Sequence, residues 1–244
     1  MIIFIRSTIF NVFLAVWTLF ITTLFLPTLI TRNQKIISIT ASVWSEVLLV
    51  AMKLICNIDY KIEGHTHLVI SEPVIVVSKH QSMWETVYLM KLFKKPVFIL
   101  KKELTNIPFY GWYLIWMGMI AIKRDDGINA LKYIIKQAKK SFAEKRNLII
   151  FPEGRRVKPG EIIDIQPGIA AIKKAFPEIP IIPISVDSGK FWRKGEWLKY
   201  PGTIHLYIGE PICDIKIYKD DLLKKIKNSM GFESHGIKDG GAHN

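Results

Sequence analysis

The sequence predicts an α/β fold that carries a hydrophobic N-terminal helix or helical hairpin. Three observations predict it. Residues 1–31 hold a single charge, Arg6. From Asn57 onward, short β-branched runs alternate with longer stretches of helical character. Apolar strands alternating with helices describe a sheet covered on both faces. Half of the residues are hydrophobic and 23% are charged, so the chain has too much apolar surface to stay disordered. Its 244 residues suit one generous domain with an appendage.

The first element is the run Ile9–Ile30, which is 22 residues without a charge. About 20 apolar residues cross a hydrocarbon core as a helix, so the run is long enough. Asn11 and the threonines Thr18, Thr22, Thr23 and Thr28 weaken it little, because a threonine can bond back to its own helix. Pro27 predicts an end or a kink near Leu26. A cleaved signal peptide fits less well: the run exceeds the ~7–15 residues of such an apolar core, and no small-x-small site follows. After the polar joint Thr31–Lys35 comes a second apolar segment, Ile36–Cys56, with Glu46 and Lys53 as its charges. Two spans, or a hairpin dipping into one leaflet, both fit. Arg6, Arg32 and Lys35 flank the first segment on both sides, so positive charge does not orient it.

The remaining elements follow in order. Val74–Val77, Val97–Leu100, Asn147–Phe151, Ile181–Val186 and Ile204–Ile208 read as strands. Gln81–Phe93, Gly127–Lys145, the short Pro167–Ala175 and the amphipathic Lys219–Met230 read as helices. The expected organisation is residues 1–56 as membrane-anchoring helices, 57–230 as the α/β domain, and 231–244 as a mobile tail with little to bury.

Lys and Arg total 34 against 21 Asp and Glu, a net charge of +13. A chain both greasy and basic suits work at an anionic lipid surface. Nucleic-acid binding is disfavoured, because the aromatics cluster in apolar segments rather than among basic repeats. Cys56 and Cys213 cannot form a disulfide framework or a cysteine-only metal site, and are expected to be buried reduced thiols.

Four stretches carry chemistry. Ser78-Lys79-His80-Gln81-Ser82-Met83-Trp84-Glu85 falls at a strand-to-helix junction, where open α/β sheets place their sites. On one continuous helix His80 and Glu85 would sit about 140° apart and would not meet. With His80 in the loop before the helix, Glu85 reaches back to one imidazole nitrogen and leaves the other as a base. Ser82-x-x-Glu85 also reads as a capping box, in which Glu85 does no more than cap a helix. Phe151-Pro152-Glu153-Gly154-Arg155-Arg156 follows a strand; the glycine permits a tight turn, and two guanidinium groups suit phosphate oxygens, or else simply face solvent. Lys101-Lys102-Glu103 opens a loop that continues through Ile107–Trp112, and paired lysines there equally read as solubilising. The lysines Lys132, Lys136, Lys139 and Lys140 form a helix face suited to solvent or to an anionic membrane.

Taken in order, SKHQSMWET (78–86), KKELTNIPFYGW (101–112), FPEGRR (151–156) and IPIIPISV (179–186) resemble the motifs of the 1-acyl-sn-glycerol-3-phosphate (lysophosphatidic acid) acyltransferase family. The resemblance covers roughly residues 57–212, together with the hydrophobic N-terminus. It implies a mixed central sheet flanked by helices, of the glycerolphosphate acyltransferase type, with 57–230 as the acyltransferase domain. It implies His80 as general base and Glu85 as the acid that orients it, although the family more often has aspartate there. It implies substrate contacts at Lys101, and contacts to the acceptor's phosphate at Glu153, Gly154 and Arg156, with Arg155 standing where Thr or Ser is commoner. The fourth block is implied to line a channel around Pro183. The implied reaction moves a fatty acyl chain from a thioester donor, acyl-CoA or acyl carrier protein, to the sn-2 hydroxyl of lysophosphatidic acid. No metal and no cofactor are implied. The implied location is the bacterial inner membrane, with the α/β domain on the cytoplasmic side. The rivals are transfer to another lysophospholipid, thioester hydrolysis, and a non-catalytic lipid-binding membrane protein.

Overall fold

The computed structural model describes residues 1–28, 33–68, 73–161 and 165–230. The tail 231–244 and the middle of the joint between the two apolar segments lie outside the described residues.

Two long helices come first, α1 (Ile2–Leu24) and α2 (Gln34–Cys56), packed against each other. Asn33 starts α2: its side chain accepts from the Lys35 and Ile36 N–H groups, which have no partner inside the helix. Asn57 ends α2 in the left-handed conformation, one of the few non-glycine types that adopt it readily. The Trp44 indole N–H donates to Thr18 Oγ1 at 3.0 Å and locks the pair in register. By length and composition both helices are able to cross a membrane.

Among the described residues seven strands follow: β1 (Ile58–Glu63), β2 (Ile75–Ser78), β3 (Pro96–Lys101), β4 (Ile120–Ile122), β5 (Asn147–Ile150), β6 (Ile181–Val186) and β7 (Gly202–Ile208). They form one sheet in the order β1-β7-β6-β2-β5-β3-β4. Every pairing is parallel except β6 with β7, so the sheet is mixed. Five helices flank it: α3 (Trp84–Leu92), α4 (Tyr110–Trp116), α5 (Gly127–Ala143), α6 (Gly168–Ala175) and α7 (Lys219–Ser229). β2, β5 and β6 lie at the centre and are buried throughout, which is why they read as unbroken apolar runs rather than alternating ones.

The sheet separates two cores. On one face, Trp84 and Leu89 of α3 and Tyr113 of α4 pack with Val76, Ile149 and Ile182. Phe10 and Ile21 of α1, and Ile37, Leu48 and Met52 of α2, belong to that same core. On the other face, Ile134 and Phe142 of α5, Ile169 and Ile172 of α6, and Leu222 and Ile226 of α7 cover Ile75, Val77 and Leu148. The basic stripe of α5 therefore lies across the sheet from the apolar hairpin.

α1 is clipped to the body by its few polar side chains. Ser7 Oγ accepts the Lys199 N–H at 2.8 Å, Asn11 Nδ2 donates to the Trp197 carbonyl at 3.0 Å, and Trp197 Nε1 donates to Thr8 Oγ1 at 2.9 Å. Phe10 meets Trp192 edge to face at 5.4 Å. The opposite side of α1, with Ile5, Ile9, Val12, Val16 and Leu19, is exposed and apolar.

Three elements differ from the sequence expectation. β1 was not legible as a strand because its IDYKIE sequence carries charges on an edge position. β4 has only three residues, too few for a periodic signal. The stretch read as loop from Ile107 contains α4, entered through Phe109 at φ 61°. Gly111 is required there, since a Cβ would lie 2.3 Å from the Thr105 carbonyl oxygen. Of the two thiols, Cys56 is buried as expected, while Cys213 is exposed because it follows the sheet rather than entering it.

Candidate active site

The site is built at the ends of the central strands. β2 ends at Ser78, and the chain makes an irregular turn through Lys79–Met83 before α3 begins at Trp84. The helix starts three residues later than its apolar pattern predicts because Glu85 draws the preceding N–H groups toward itself. Its Oε1 accepts from the Gln81 N–H at 2.7 Å and the Ser82 N–H at 2.8 Å. The same oxygen lies 2.9 Å from His80 Nδ1. Ser82 Oγ donates to Oε2 at 3.0 Å and itself accepts the Trp84 N–H. The capping box and the histidine–carboxylate pair are thus one structure: folding the turn as a cap delivers the carboxylate to the imidazole.

Glu85 is fully buried. Burial alone would raise its pKa; the His80 hydrogen bond and charge, with those of Ser188 and the Ser82 N–H, outweigh it and hold the carboxyl below its usual value. An ionised Glu85 accepts only, so His80 Nδ1 carries a proton, and it is in the neutral imidazole that Nε2 presents its lone pair. Nε2 has no hydrogen-bond partner among the described residues, and the His80 side chain is 16% exposed, so solvent reaches it.

Sequence reasoning missed two supports of this pair. Ser188 Oγ donates to Glu85 Oε2 at 2.6 Å, and the Gly189 N–H donates to Gln81 Oε1 at 3.1 Å. Both follow β6, just beyond the fourth motif (179–186), whose Pro183 is buried in the strand and pairs with Val77, in keeping with the reading of that block as a buried strand. The available signal was the polar Asp187-Ser188-Gly189 at the end of a buried strand. Phe151 was also missed: its ring stacks on the imidazole at 3.9 Å between centroids and 16° between planes.

The segment after β5 wraps the same histidine. The Val157 N–H donates to the His80 carbonyl at 2.8 Å, and Glu153 Oε1 accepts the His80 N–H at 3.2 Å. Glu153 is 8% exposed and points inward, and its Oε2 has no partner among the described residues. Burial pushes its pKa up to about 7, aided by the charge on Glu85 and opposed by the His80 N–H and by Lys79. Gly154, at φ 66°, turns the chain. Arg155 projects outward and pairs with Glu161. Arg156 is half-buried, one residue from the Val157–His80 contact, and has no side-chain partner among the described residues.

Lys101 is the last residue of β3 rather than part of a loop, and is exposed. A groove of about 780 Å³ lies farther along, lined by Lys102, Ile122, Lys123, Tyr133 and Lys140; β5 and β3 separate it from the His80 strand. Among the described residues no three His, Cys, Asp or Glu side chains converge as a metal-holding group.

A mixed α/β sheet that presents a histidine paired with a buried, ionised carboxylate at a strand-to-helix turn defines an α/β enzyme fold. The description of the acyltransferase family matches residues 59–187, more than half of the chain, and the chain belongs to that family. It is 34% identical over 166 residues to a 1-acyl-sn-glycerol-3-phosphate acyltransferase of Pseudomonas aeruginosa, covering 68% of this chain and 64% of that one. A Streptococcus pneumoniae protein of the same name is 32% identical over 168 residues, covering 66% and 59%. The matched region thus spans less than two-thirds of either relative. The crystal structure of the 1-acyl-sn-glycerophosphate (LPA) acyltransferase PlsC from Thermotoga maritima superposes with a TM-score of 0.75 over 97% of this chain and 100% of that one, at 21% identity, which shows the shared fold.

Proposed function

We propose that this protein transfers a fatty acyl chain from a thioester donor to the sn-2 hydroxyl of lysophosphatidic acid, giving phosphatidic acid. The observation that carries the reading is the His80–Glu85 pair at 2.9 Å, with Nε2 accessible and Arg156 beside the same loop. Membership of the family and the names of its relatives support the choice of reaction.

In this reading the acceptor's phosphate meets Arg156, whose planar fork suits its oxygens. Arg155 serves only by leaving Glu161. His80 Nε2 takes the proton of the sn-2 hydroxyl as the oxygen attacks the thioester carbonyl. Glu85 stabilises the resulting imidazolium. Collapse of the tetrahedral oxyanion breaks the C–S bond, and the imidazolium returns its proton to the departing thiolate. Lys101 and backbone N–H groups are the candidate partners for the oxyanion. The donor is acyl-CoA or acyl carrier protein.

Residues 1–56 serve as the membrane anchor of an acyltransferase domain at 57–230, with the reaction on the cytoplasmic side of the inner membrane. The polar clips of α1 hold one side of the helix on the body, so the exposed Ile5–Leu19 side dips into one leaflet. An acceptor tail costs about 0.8 kcal/mol per CH₂ to bring into water, and a docked site avoids that cost.

General-base assistance is worth roughly 10²–10⁴-fold. Transfer of labelled acyl chain by His80→Ala is expected to fall at least 100-fold while vesicle binding persists; near-normal transfer sinks the base assignment. Arg156→Ala is expected to raise the acceptor KM about 10-fold and leave the donor KM within twofold. An equal rise for both substrates removes the phosphate role.

A further inference from the structure

We propose that Glu153 is a positioning residue for the base, bracing the His80 loop in its uncharged form, and not a contact to the acceptor's phosphate. This rests on the reading of His80 as general base and deepens it. The segment 151–157 holds His80 on three sides: the Phe151 ring stacks on the imidazole, the Val157 N–H donates to the His80 carbonyl, and Glu153 Oε1 accepts the His80 N–H. These three contacts fix the loop whose other side is held by Glu85. Each acts on His80 and none on the open side of the turn, where Arg155 and Arg156 stand.

The geometry of Glu153 also disfavours the charged form. Its carboxyl is 8% exposed and Oε2 meets no donor among the described residues. A carboxylate there would hold a buried charge that its own N–H, the His80 N–H and Lys79 offset only in part. The groups facing it are Glu85 on α3, which repels it, and Lys79 and the His80 N–H on the β2–α3 turn, which attract it. Phosphate would add a further negative charge. The neutral carboxyl fits better, because Oε1 still accepts from His80 and Oε2 then carries an unpaired O–H, which costs less than an unpaired charge. Ionisation favours opening of the turn so that water reaches the oxygen, and opening carries Phe151 and Val157 away from His80. The lifted pKa of about 7 agrees with this balance.

The test is the pH profile of kcat, with acceptor KM, for the full chain in lysophosphatidic acid micelles. His80→Ala runs alongside, to show separately that turnover depends on the base. Wild type is expected to lose kcat as pH rises from 7 to 9. Glu153→Gln mimics the neutral carboxyl and is expected to be active without that alkaline fall. Glu153→Ala is expected to lower kcat at least 10-fold at pH 7 with the acceptor KM within twofold, and Gln at this position to rescue it. The proposal is overturned if Glu153→Gln keeps the alkaline fall, or if either variant raises the acceptor KM with kcat preserved. Should Glu153→Ala not fold, the Glu153→Gln profile decides. Should His80→Ala remain active, the general-base reading fails first, whatever Glu153 does.

Discussion

At the residue scale, the economy of Glu85 stands out. One carboxylate caps a helix, bends the turn before it and orients the imidazole. Its pKa sits below the unfolded value, so the stability it contributes is fully present above about pH 4.5 and is lost as pH falls through the lower, folded value. Glu85→Gln keeps the shape but removes the charge that stabilises an imidazolium. It is expected to lower kcat at least 10-fold and to flatten the acid limb of a thermal-melt titration. A silent Glu85→Gln in both measurements makes Glu85 a helix cap alone. His80, Glu85 and Arg156 were legible because each motif puts a chemically distinctive residue at a strand end. Ser188 was not: it lies 103 residues from Glu85 in sequence, and a single serine after a strand carries no pattern.

At the element scale, α1 shows how polar residues in an apolar run are used. Asn11 read as a mild defect in a membrane segment, yet it and Ser7 and Thr8 tie the helix to the 191–200 loop. Ser7 is fully buried, and its Oγ satisfies the Lys199 N–H. Removing one partner of a buried hydrogen bond costs about 1–3 kcal/mol. Ser7→Ala is therefore expected to lower the melting temperature by several degrees and to speed hydrogen exchange at the Lys199 amide. An unchanged exchange rate shows that the clip contributes nothing. The central strands were legible because burial on both faces leaves continuous apolar runs; β1 and β4 were not, because they lie at the two edges of the sheet, with charges in one and only three residues in the other.

At the scale of the whole molecule, sequence suggested an anchor followed by a domain. In the fold, Phe10, Ile37, Leu48 and Met52 share one core with α3, α4 and the sheet. A chain starting at Asn57 would bare that face. It is expected to aggregate or to melt at least 10 °C lower, rather than become a well-behaved soluble enzyme; a monomeric truncation with unchanged melting makes the anchor dispensable to the fold. The sheet also fixes where the α5 lysines lie: on the face opposite the apolar hairpin, so a membrane contact shared with the hairpin is not supported by their placement.

The late position of the loop that seats α1 has a consequence for biogenesis. β1 waits 144 residues (58 to 202) for its partner β7, and Lys199 and Trp197 are synthesised 192 and 186 residues after their α1 partners Ser7 and Asn11. At bacterial and eukaryotic elongation rates of about 5–20 residues per second, that interval is on the order of 10–40 s. Throughout it α1 lacks the 191–200 loop that seats it, although α3 and α4 become available before it ends to cover α2. Packing of α2 on the body and seating of α1 are thereby ordered in time by the chain's own topology.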